Sequence, residues 1–510
     1  MLRTVKKDLI LSCASALLFI LSFSPYNMRF LAWAAFVPLF AAIENKSRMQ
    51  AFFLSYISGI VFWLGTVYWL VHVTAAGMIV LILYLALYWG IFGLLVSWNK
   101  PRRNAAGIFY VPALWVLGEY ARSHALTGFP WALAAYTQSK AHALIQISDV
   151  TGAWGVSFLI LMVNAVLYTV WSCRPRVAGS KKLPVVAACC IFIGVYTYGA
   201  ARLHGFSRSC AEEKSIKVAV IQGNIPQELK WQAHAREYIM RTYEDLSGQA
   251  SDESPDLIVW PEAAVPAAVS EGSAYEQGLQ RLAESLQTSL LTGAVTYREG
   301  GYYNSAMLFR PGAAPDRYDK MHLVPFGEYV PLSKIFGFLQ TIVPIGEVQR
   351  GTEYRVFGRF PVGGTTAVAF SSLICYEDMF PGLSRAMVRR GAEFLVTVTN
   401  DAWYQRTAAP YQHFQAAVFR AVENRVWMVR SANTGVSGFV RPDGMIEGLV
   451  EDAAGAVIFV PGYLARSMKI SPRPATIYTR FGDWFIAAVF LGAVLCALGA
   501  RLPRDVRRHR

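Results

Sequence analysis

The segment "AVAFSSLICYEDMF", residues 367–380, combines an apolar, strand-like run with a cysteine at the end of that run. The cysteine is Cys375, and Tyr376, Glu377 and Asp378 follow it directly. Reactive side chains often lie where a strand ends and a loop begins, because the rigid strand holds them in place. The segment therefore predicts a strand of a folded domain that presents a thiol next to two carboxylates.

Short β-type runs alternate with helix-like stretches on both sides of this segment, over residues 216–448. The helix-like stretches are Arg236–Gly248 and Ala274–Gln287. The β-type runs are "IKVAVIQGN", "DLIVWPE", "LLTGAVTY", "YNSAMLF", "TTAVAFSSLI", "EFLVTVTN" and "VWMVRSA". This alternation predicts a domain in which helices cover layers of β-sheet. A region of about 230 residues is long enough to bury one hydrophobic core.

Long apolar runs dominate the chain before this domain and return once after it. We predict eight membrane spans, which are Leu9–Phe23, Phe30–Ile43, Phe52–His72, Met78–Trp98, Ala105–Tyr120, Trp154–Trp171, Leu183–Tyr198 and Trp484–Leu498. A helix needs about 20 apolar residues to cross a bilayer, and only the third and fourth runs are convincing by themselves. The sequence thus predicts a helical bundle over residues 1–205, an outer domain over 214–465, and a last helix with a basic tail over 480–510.

Basic residues lie mainly at the ends of the apolar runs, within a chain of net charge +14. With the amino terminus inside the cell, the basic segments after spans two, four, six and eight all lie on the cytoplasmic side, as membrane proteins prefer. The segment between spans seven and eight then lies outside. The basic start "MLRTVKK" is expected to belong to a retained anchor, since no small-residue cleavage site follows it. Charge clustered in this way, without interleaved aromatic residues, argues against nucleic-acid binding.

Seven cysteines are present, and only Cys210 and Cys375 lie in the outer segment. Oxidising compartments usually pair their cysteines. Cys210 lies in the charged link before the domain, so a disulfide bond between these two residues is not expected. Cys375 is therefore predicted to be a free thiol, which is either a buried inert residue or a reactive one.

Two further segments place a charged side chain after a strand-like run. Glu262 ends "LIVWPE", and Lys320 lies in "YDKMHLVPFGEYVP". A carboxylate can accept the proton of a thiol, and an ammonium group can lower the thiol pKa and stabilise an oxyanion. On the residues alone, Glu262 could instead be a cap or an ion-pair partner, and Lys320 a surface residue paired with Asp319. His322 offers a third alternative, as the base of a Cys–His pair.

The strings "WPE", "YDKMHLVPFGEYVP" and "CYED" resemble the Glu–Lys–Cys triad motifs of the nitrilase, or carbon–nitrogen hydrolase, superfamily. That resemblance implies an α+β domain with an α-β-β-α sandwich fold. With the multi-span bundle, and with "IQGNIPQELKW" and "ALTGFPW", the whole chain resembles the bacterial apolipoprotein N-acyltransferase family.

The resemblance implies a role for seven residues. The catalytic and supporting residues would be the general base Glu262, the oxyanion stabiliser Lys320, the nucleophile Cys375 and the second glutamate Glu328. Positions around the acyl chain or the substrate are matched by Trp231, Tyr376 and Glu377. Trp231 could equally be an aromatic residue of the membrane interface, and Tyr376 a core residue. The resemblance implies neither a cofactor nor a metal ion.

The reaction implied by the resemblance is a two-step acyl transfer. A fatty acyl chain would pass from a phospholipid, typically phosphatidylethanolamine, to the cysteine as a thioester. It would then pass to the α-amine of the S-diacylglyceryl-cysteine that begins an apolipoprotein, at the periplasmic side of the bacterial inner membrane. Both substrates carry fatty chains, and each buried methylene favours the bilayer by about 0.8 kcal/mol. The active site is therefore expected at the membrane face.

Two other functions remain open at this point. A membrane-tethered amidase or nitrilase would use the same three residues with water as the acceptor and would hydrolyse small amides. A transporter or receptor would use the outer domain only to bind a ligand. The second alternative expects inward-facing charges in the spans, and such charges are nearly absent.

Overall fold

A computed structural model describes residues 2–98, 107–172, 182–206, 214–325, 327–329, 348–362, 366–472 and 474–499. The chain divides into two compact units. The helical unit comprises Met1–Gly205 and Phe481–Arg510, and the sandwich unit comprises Phe206–Arg480. Several predicted features lie outside the described residues, namely the basic segments 100–103, 174–181 and 501–510 and the cysteines Cys173 and Cys210.

The described part of the helical unit consists mainly of α-helices. Its helices are α1 (Leu2–Leu21), α2 (Val37–Ala42), α3 (Arg48–Val67), α4 (Ala75–Trp98), α5 (Gly107–His124), α6 (His142–Ile145), α7 (Ser148–Thr151), α8 (Ala153–Trp171) and α9 (Lys182–Phe206) before the sandwich unit, and α15 (Trp484–Gly499) after it. Short 3-10 helices cover Arg29–Trp33, Tyr68–His72 and Ala134–Gln138.

Four helical segments among the described residues are long and apolar enough to cross a membrane. They are Arg48–His72, Ala75–Trp98, Ala153–Trp171 and Lys182–Gly205, and they coincide with predicted spans three, four, six and seven. Shorter apolar helices cover Arg29–Ala42 and Trp484–Leu498, at predicted spans two and eight. The structure therefore supports a membrane bundle, and the count of eight spans stays a prediction.

Aromatic rings fill the centre of the helical unit. Phe36 packs edge-on against Trp115 at 4.6 Å between ring centroids and stacks on Trp89 at 5.4 Å. Phe19 stacks on Phe62 at 4.9 Å. Pairs of this kind contribute about 0.5–1.5 kcal/mol beyond the area that they bury.

Buried polar side chains connect separate segments of the helical unit. Asn164 of α8 donates to the Ala32 carbonyl at 2.8 Å and accepts from the Phe36 amide at 2.8 Å. Glu119 of α5 accepts from the Ala134 amide at 2.7 Å, and Arg122 donates to the Trp131 carbonyl at 2.7 Å. Each bond satisfies a main-chain group that would be costly to leave unpaired inside a bundle.

The sandwich unit contains two β-sheets. The first has the strand order β13-β1-β2-β3-β4-β5, with β6 paired to β4, and the second has the order β12-β11-β10-β9-β8-β7. The strands are β1 (Lys214–Gln222), β2 (Leu257–Val259), β3 (Ser289–Arg298), β4 (Gly301–Arg310), β5 (Ala313–Asp319), β6 (Val348–Gln349), β7 (Phe357–Val362), β8 (Thr366–Ile374), β9 (Phe394–Thr399), β10 (Trp427–Ala432), β11 (Gly438–Val440), β12 (Ile446–Leu449) and β13 (Gly462–Ile470). All seven predicted β-type runs are strands of these sheets.

Helices cover both outer faces of the two sheets. On the first sheet, α10 (Arg236–Ser251) contacts β1 and β13, and α11 (Ala274–Ser285) contacts β3 and β4. On the second sheet, α12 (Pro381–Arg389) contacts β8 and β9, and α13 (Ala409–Asn424) contacts β10 and β11. A short helix α14 (Ile477–Phe481) follows β13. This layer order is the predicted α-β-β-α sandwich.

The two sheets face each other across a packed interior. Strand β1 contacts β10, and β3 contacts β9. The hydroxyl of Ser431 in β10 donates to the carbonyls of Ile221 at 2.8 Å and Val259 at 3.1 Å in the first sheet. Strands β1, β2 and β3 run parallel, as do β8, β9 and β10. The segments that follow such strands meet at one edge of each sheet, where ligands usually bind in layered α/β proteins.

Candidate active site

Glu262 lies just beyond the end of β2 and is held at both carboxylate oxygens. Its Oε1 accepts from Asn304 Nδ2 at 2.7 Å, and its Oε2 accepts from the Asn400 amide at 2.9 Å. The side chain is nearly buried, and the next residue, Ala263, has a positive φ of 46°. A buried carboxylate fixed in this way is suited to accept a proton from a neighbouring group.

Lys320 follows β5 directly and is buried between two carboxylates. Its Nζ lies 2.9 Å from Glu328 Oε2 and 3.4 Å from Glu262 Oε1. Burial alone would lower the pKa of Lys320, but the Glu328 and Glu262 carboxylates outweigh burial and raise it above the ordinary lysine value. The lysine therefore keeps its positive charge and can act as a fixed hydrogen-bond donor.

Glu328 completes this charged group. Its Oε1 accepts from Asn304 Nδ2 at 2.8 Å, and its Oε2 accepts from the Val324 amide at 2.8 Å. One amide group, that of Asn304, thus donates to both glutamates that flank Lys320. Ion pairs buried in this way persist only when further hydrogen bonds satisfy the remaining oxygens.

Cys375 lies at the end of β8, at the start of a 3-10 turn that covers Cys375–Met379. It is a free cysteine, 7% exposed, and its φ is +54°. A left-handed conformation is unusual for a residue other than glycine, and strained backbone of this kind clusters at functional sites. In this turn the Cys375 sulfur interacts electrostatically with Glu262 and Lys320.

The thiol of Cys375 holds its proton strongly. Burial raises its pKa well above the ordinary value, the Glu262 carboxylate raises it further, and Lys320 and a hydrogen bond from Thr399 lower it. The resting group at neutral pH is therefore a thiol, and a base must remove its proton before it can attack. Glu262 is the carboxylate with the largest effect on the sulfur.

Glu377 connects the cysteine turn to the lysine loop. Its Oε1 accepts from the amides of Met321 at 2.7 Å and His322 at 3.0 Å, and its Oε2 accepts from the Ile374 amide at 2.8 Å. Tyr318 donates its hydroxyl to the same carboxylate. Burial raises the pKa of Glu377 to about 7, partly offset by the amide hydrogen bonds. Glu377 is therefore a fully buried residue that holds the cysteine turn against the segment after Lys320.

The other predicted residues differ in exposure. Tyr376 is buried, and its ring packs edge-on against Phe380 at 5.0 Å. His322, considered as an alternative base, lies with its ring 3.7 Å from that of Phe380. Trp231, in the turn after β1, is 47% exposed. The structure therefore brings Glu262, Lys320, Glu328, Cys375 and Glu377 into one hydrogen-bonded or electrostatic group, with Trp231 at the surface.

A buried cluster of four charged side chains lies behind the cysteine turn. His413 lies 2.8 Å from Asp378 Oδ1 and 3.0 Å from Asp401 Oδ1. Arg430 is hydrogen-bonded to Asp378 and lies 3.3 Å from Asp401 Oδ2. Burial would raise the pKa of Asp401, but His413 and Arg430 lower it to about 2. The cluster joins the turn after Cys375 to the loop after β9.

The sequence motifs assign no role to Asn304, Asn400, Lys230 or the four-residue cluster, although "IQGNIPQELKW" contains Lys230 and "CYED" contains Asp378. A signal for Asn304 exists, because an asparagine inside the apolar run "YNSAMLF" must satisfy its side chain in the core. Asn400 likewise ends the run "EFLVTVTN".

Within the described ranges, no group of three or more His, Cys, Asp or Glu side chains could hold a metal ion.

Two family models match this chain. The apolipoprotein N-acyltransferase N-terminal domain matches residues 15–166. The carbon-nitrogen hydrolase family matches residues 217–458, which include every site residue described above.

Relatives from several bacteria are similar to most or nearly all of the chain. An apolipoprotein N-acyltransferase of Geobacter metallireducens is 37% identical over 515 residues, covering 96% of this chain and 95% of the relative. The Methylococcus capsulatus protein of the same name is 30% identical and covers 99% and 98%. That of Shewanella oneidensis is 34% identical and covers 73% and 72%. The chain belongs to the apolipoprotein N-acyltransferase family.

Proposed function

We propose that this protein is a membrane-bound acyltransferase that completes lipoprotein maturation. It transfers a fatty acyl chain from a phospholipid to the α-amine of the S-diacylglyceryl-cysteine at the amino terminus of an apolipoprotein. The observation that carries the proposal is the group formed by Glu262, Lys320 and Cys375, in a chain of this family. Lys320 Nζ lies 3.4 Å from Glu262 Oε1. Both side chains interact electrostatically with the thiol of Cys375, whose backbone is left-handed.

The first half of the reaction forms a thioester. Glu262 accepts the thiol proton as Cys375 Sγ attacks the ester carbonyl of the phospholipid. Lys320 donates a hydrogen bond to the oxyanion of the tetrahedral intermediate, where a fixed cation is most effective. Collapse of the intermediate breaks the ester C–O bond, and Glu262 returns the proton to the leaving alcohol of the lysophospholipid. Covalent catalysis splits one difficult transfer into two easier steps.

The second half of the reaction forms an amide. The neutral α-amine of the acceptor cysteine attacks the thioester carbonyl, and Lys320 again stabilises the oxyanion. Glu262 takes a proton from the attacking nitrogen and gives it to the departing sulfur of Cys375. The same carboxylate thus acts as base and then as acid in each half, and the hydrogen bonds to its two oxygens fix its orientation.

The remaining predicted residues have supporting roles in the proposal. Glu328 and Glu377 hold Lys320 and the cysteine turn, as their hydrogen bonds support. Trp231 is exposed enough to contact an acyl chain, and Tyr376 follows the nucleophile directly. We assign both to the surroundings of the acyl chain or the substrate.

The setting of the reaction is also part of the proposal. Eight spans would fix residues 1–205 and 480–510 in the bacterial inner membrane, and the catalytic domain over 214–465 would lie on the periplasmic side. The basic segments at alternate loops support this orientation. Phosphatidylethanolamine would be the acyl donor. The fatty chains of both substrates favour a site that is reached from the bilayer.

A two-substrate assay tests this function. Purified protein in detergent is incubated with phosphatidylethanolamine labelled in its acyl chain and with a peptide that begins with diacylglyceryl-cysteine. We expect labelled peptide and parallel double-reciprocal plots, which mark a ping-pong mechanism. Release of ammonia from a short amide, without label on the protein or the peptide, would instead support the amidase.

A further inference from the structure

Lys230 is a buried cation that the mechanism above does not use. It lies in the turn between β1 and α10 and is 2% exposed, whereas its neighbour Trp231 is 47% exposed. Its Nζ donates to the main-chain carbonyl of Glu262 at 3.0 Å. The turn therefore directs the lysine side chain inward, to the segment that carries the general base.

Burial of a charged ammonium group is energetically unfavourable, and the carbonyl to which Lys230 donates does not neutralise the charge. Burial lowers the pKa of Lys230 to about 8, and the Glu262 carboxylate and the Cys375 sulfur oppose that shift. Both opposing groups belong to the proposed catalytic set. Buried groups with shifted pKa values beside a specific charged partner are frequent at functional sites.

We infer that Lys230 is a positioning residue of this active site, which fixes the Glu262 main chain and adds a further positive charge to the groups that act on Cys375. The inference rests on the proposed function, because it assigns Lys230 to the same catalytic set. Lys230 acts on the chemistry through Glu262 and through the local potential, and it is distinct from the oxyanion donor Lys320.

The first part of the inference concerns geometry. Glu262 is held at three points, by Asn304 and Asn400 at its carboxylate and by Lys230 at its carbonyl. The carbonyl is buried at the start of a turn in which Ala263 has a positive φ. A buried carbonyl without a partner is costly, so the lysine stabilises the strained turn that aims the base.

The second part concerns charge. The charged groups that act on Cys375 come from several elements: Glu262 after β2, Lys320 after β5, Asp401 after β9 and Arg430 in β10. Tyr404, in the same loop as Asp401, also interacts with the sulfur. Lys230 adds one positive charge to this set. Because electrostatic coupling is mutual, a lysine whose charge is favoured by the thiolate must in turn favour the thiolate.

The test measures the reactivity of the sulfur without any lipid substrate. Full-length wild type, Lys230→Met, Lys230→Gln and Lys230→Arg are alkylated with iodoacetamide between about pH 6 and about pH 10. The extent of reaction is read by mass spectrometry of the peptide that contains Cys375. Lys217→Met is the matched control, because Lys217 is a partly exposed lysine of β1 that pairs with Glu253 at 3.4 Å.

We expect alkylation of Lys230→Met and Lys230→Gln to be about 3- to 10-fold slower than wild type at each pH below about 8. Lys230→Arg and Lys217→Met should react at nearly the wild-type rate. Thermal unfolding identifies a variant that does not fold, in which case the glutamine variant, which keeps a hydrogen-bond donor, replaces the methionine variant. A purely structural lysine would change stability but not the charge dependence of the alkylation rate.

Acyl-enzyme formation from phosphatidylethanolamine is followed in the same proteins, to separate the two proposals. Equal alkylation rates in wild type and in every uncharged variant that folds, with normal acyl-enzyme in wild type, would overturn the role of Lys230 alone. Absence of acyl-enzyme in wild type would instead contradict the proposed function.

Discussion

His413 lies between two aspartates in the interior of the sandwich unit, at 2.8 Å from Asp378 and 3.0 Å from Asp401. Burial and the Arg430 guanidinium would lower the pKa of His413, but the two carboxylates raise it from 6.5 to about 9. The protonated imidazole is thus favoured by folding. Its stabilisation is fully present below pH 6.5 and is lost as the pH rises through about 9.

A His413→Gln variant tests this residue. The wild-type protein should lose thermal stability between pH 6.5 and about 9. This histidine should account for about 3 kcal/mol of the free energy of unfolding that is lost. The difference between wild type and variant should therefore shrink by several degrees across that interval. Melting temperatures in detergent at a series of pH values provide the measurement. A difference that does not depend on pH would show that the imidazole is neutral in the folded protein.

Asn304 is a second residue whose contribution can be isolated. Its amide donates at 2.7 Å to Glu262 and at 2.8 Å to Glu328. In Asn304→Ala the two carboxylates lose this common donor, and we expect acyl transfer to slow by roughly 10- to 100-fold, as for the loss of a hydrogen bond to a charged group. The steady-state rate with saturating phospholipid is the readout. Wild-type turnover in this variant would mean that Lys320 and the main-chain amides of Asn400 and Val324 hold the two glutamates without Asn304.

The sequence identifies some of these residues and not others, for a physical reason. Glu262, Lys320 and Cys375 each follow a recognisable strand, and a strand end is visible in one sequence. Lys230 and His413 depend on contacts between segments that are far apart in the chain, and no local pattern records such contacts. The resemblance matches Glu377 to a position around the acyl chain or the substrate, and this stays a prediction. Its carboxylate accepts hydrogen bonds from main-chain amides of the cysteine turn and the lysine loop, which no local pattern indicates.

At the scale of elements, the close approach of β3 to the loop that carries Glu262 determines where the proposed general base lies. A Cβ atom on Gly293 of β3 would lie 2.5 Å from Glu262 Cα and 2.6 Å from the Pro261 carbonyl oxygen. Both are main-chain atoms, so the loop that carries the base would have to move. The Gly293 amide also donates to the Pro261 carbonyl at 3.2 Å, which holds the loop close to β3. Glycine is needed at this position because no room remains for a side chain.

We expect Gly293→Ala to destabilise the protein by about 1–3 kcal/mol, as other overpacked sites do, and to reduce acyl transfer by displacing Glu262. The matched control is Gly278→Ala in α11, where a Cβ would meet nothing within 4 Å. The control should keep full activity and gain up to about 1 kcal/mol in stability. Melting temperature and acyl-transfer rate are measured for both. Full activity in Gly293→Ala would show that the loop tolerates the shift.

Elements with a clear period are predictable from the sequence, and elements that depend on distant partners are not. The apolar runs before Glu262, Cys375 and Asn400 are the strands β2, β8 and β9. The pairing of β1 with β13, which is distant in the chain, has no local signal. Predicted span two is a 3-10 helix followed by the short helix α2, because Pro38 favours a new helix start.

At the scale of the whole molecule, the distribution of basic residues predicts orientation. Ser285 in α11 and Lys7 in α1 are both exposed in their own units. We expect a cysteine at Ser285, in a background without the other exposed cysteines, to react with a membrane-impermeant maleimide in spheroplasts. A cysteine at Lys7 should react only after permeabilisation. The reverse pattern of labelling would place the catalytic unit in the cytoplasm and contradict the proposed location.

The central claim is that Cys375 carries the fatty acyl chain as a thioester. Mass spectrometry of the purified protein after exposure to phosphatidylethanolamine tests this claim most directly. The account predicts one fatty acyl mass on the peptide that contains Cys375, removed by neutral hydroxylamine and absent from Cys375→Ala. An unmodified Cys375 peptide in a preparation that still acylates the acceptor, or an acyl mass that persists in Cys375→Ala, would contradict the account.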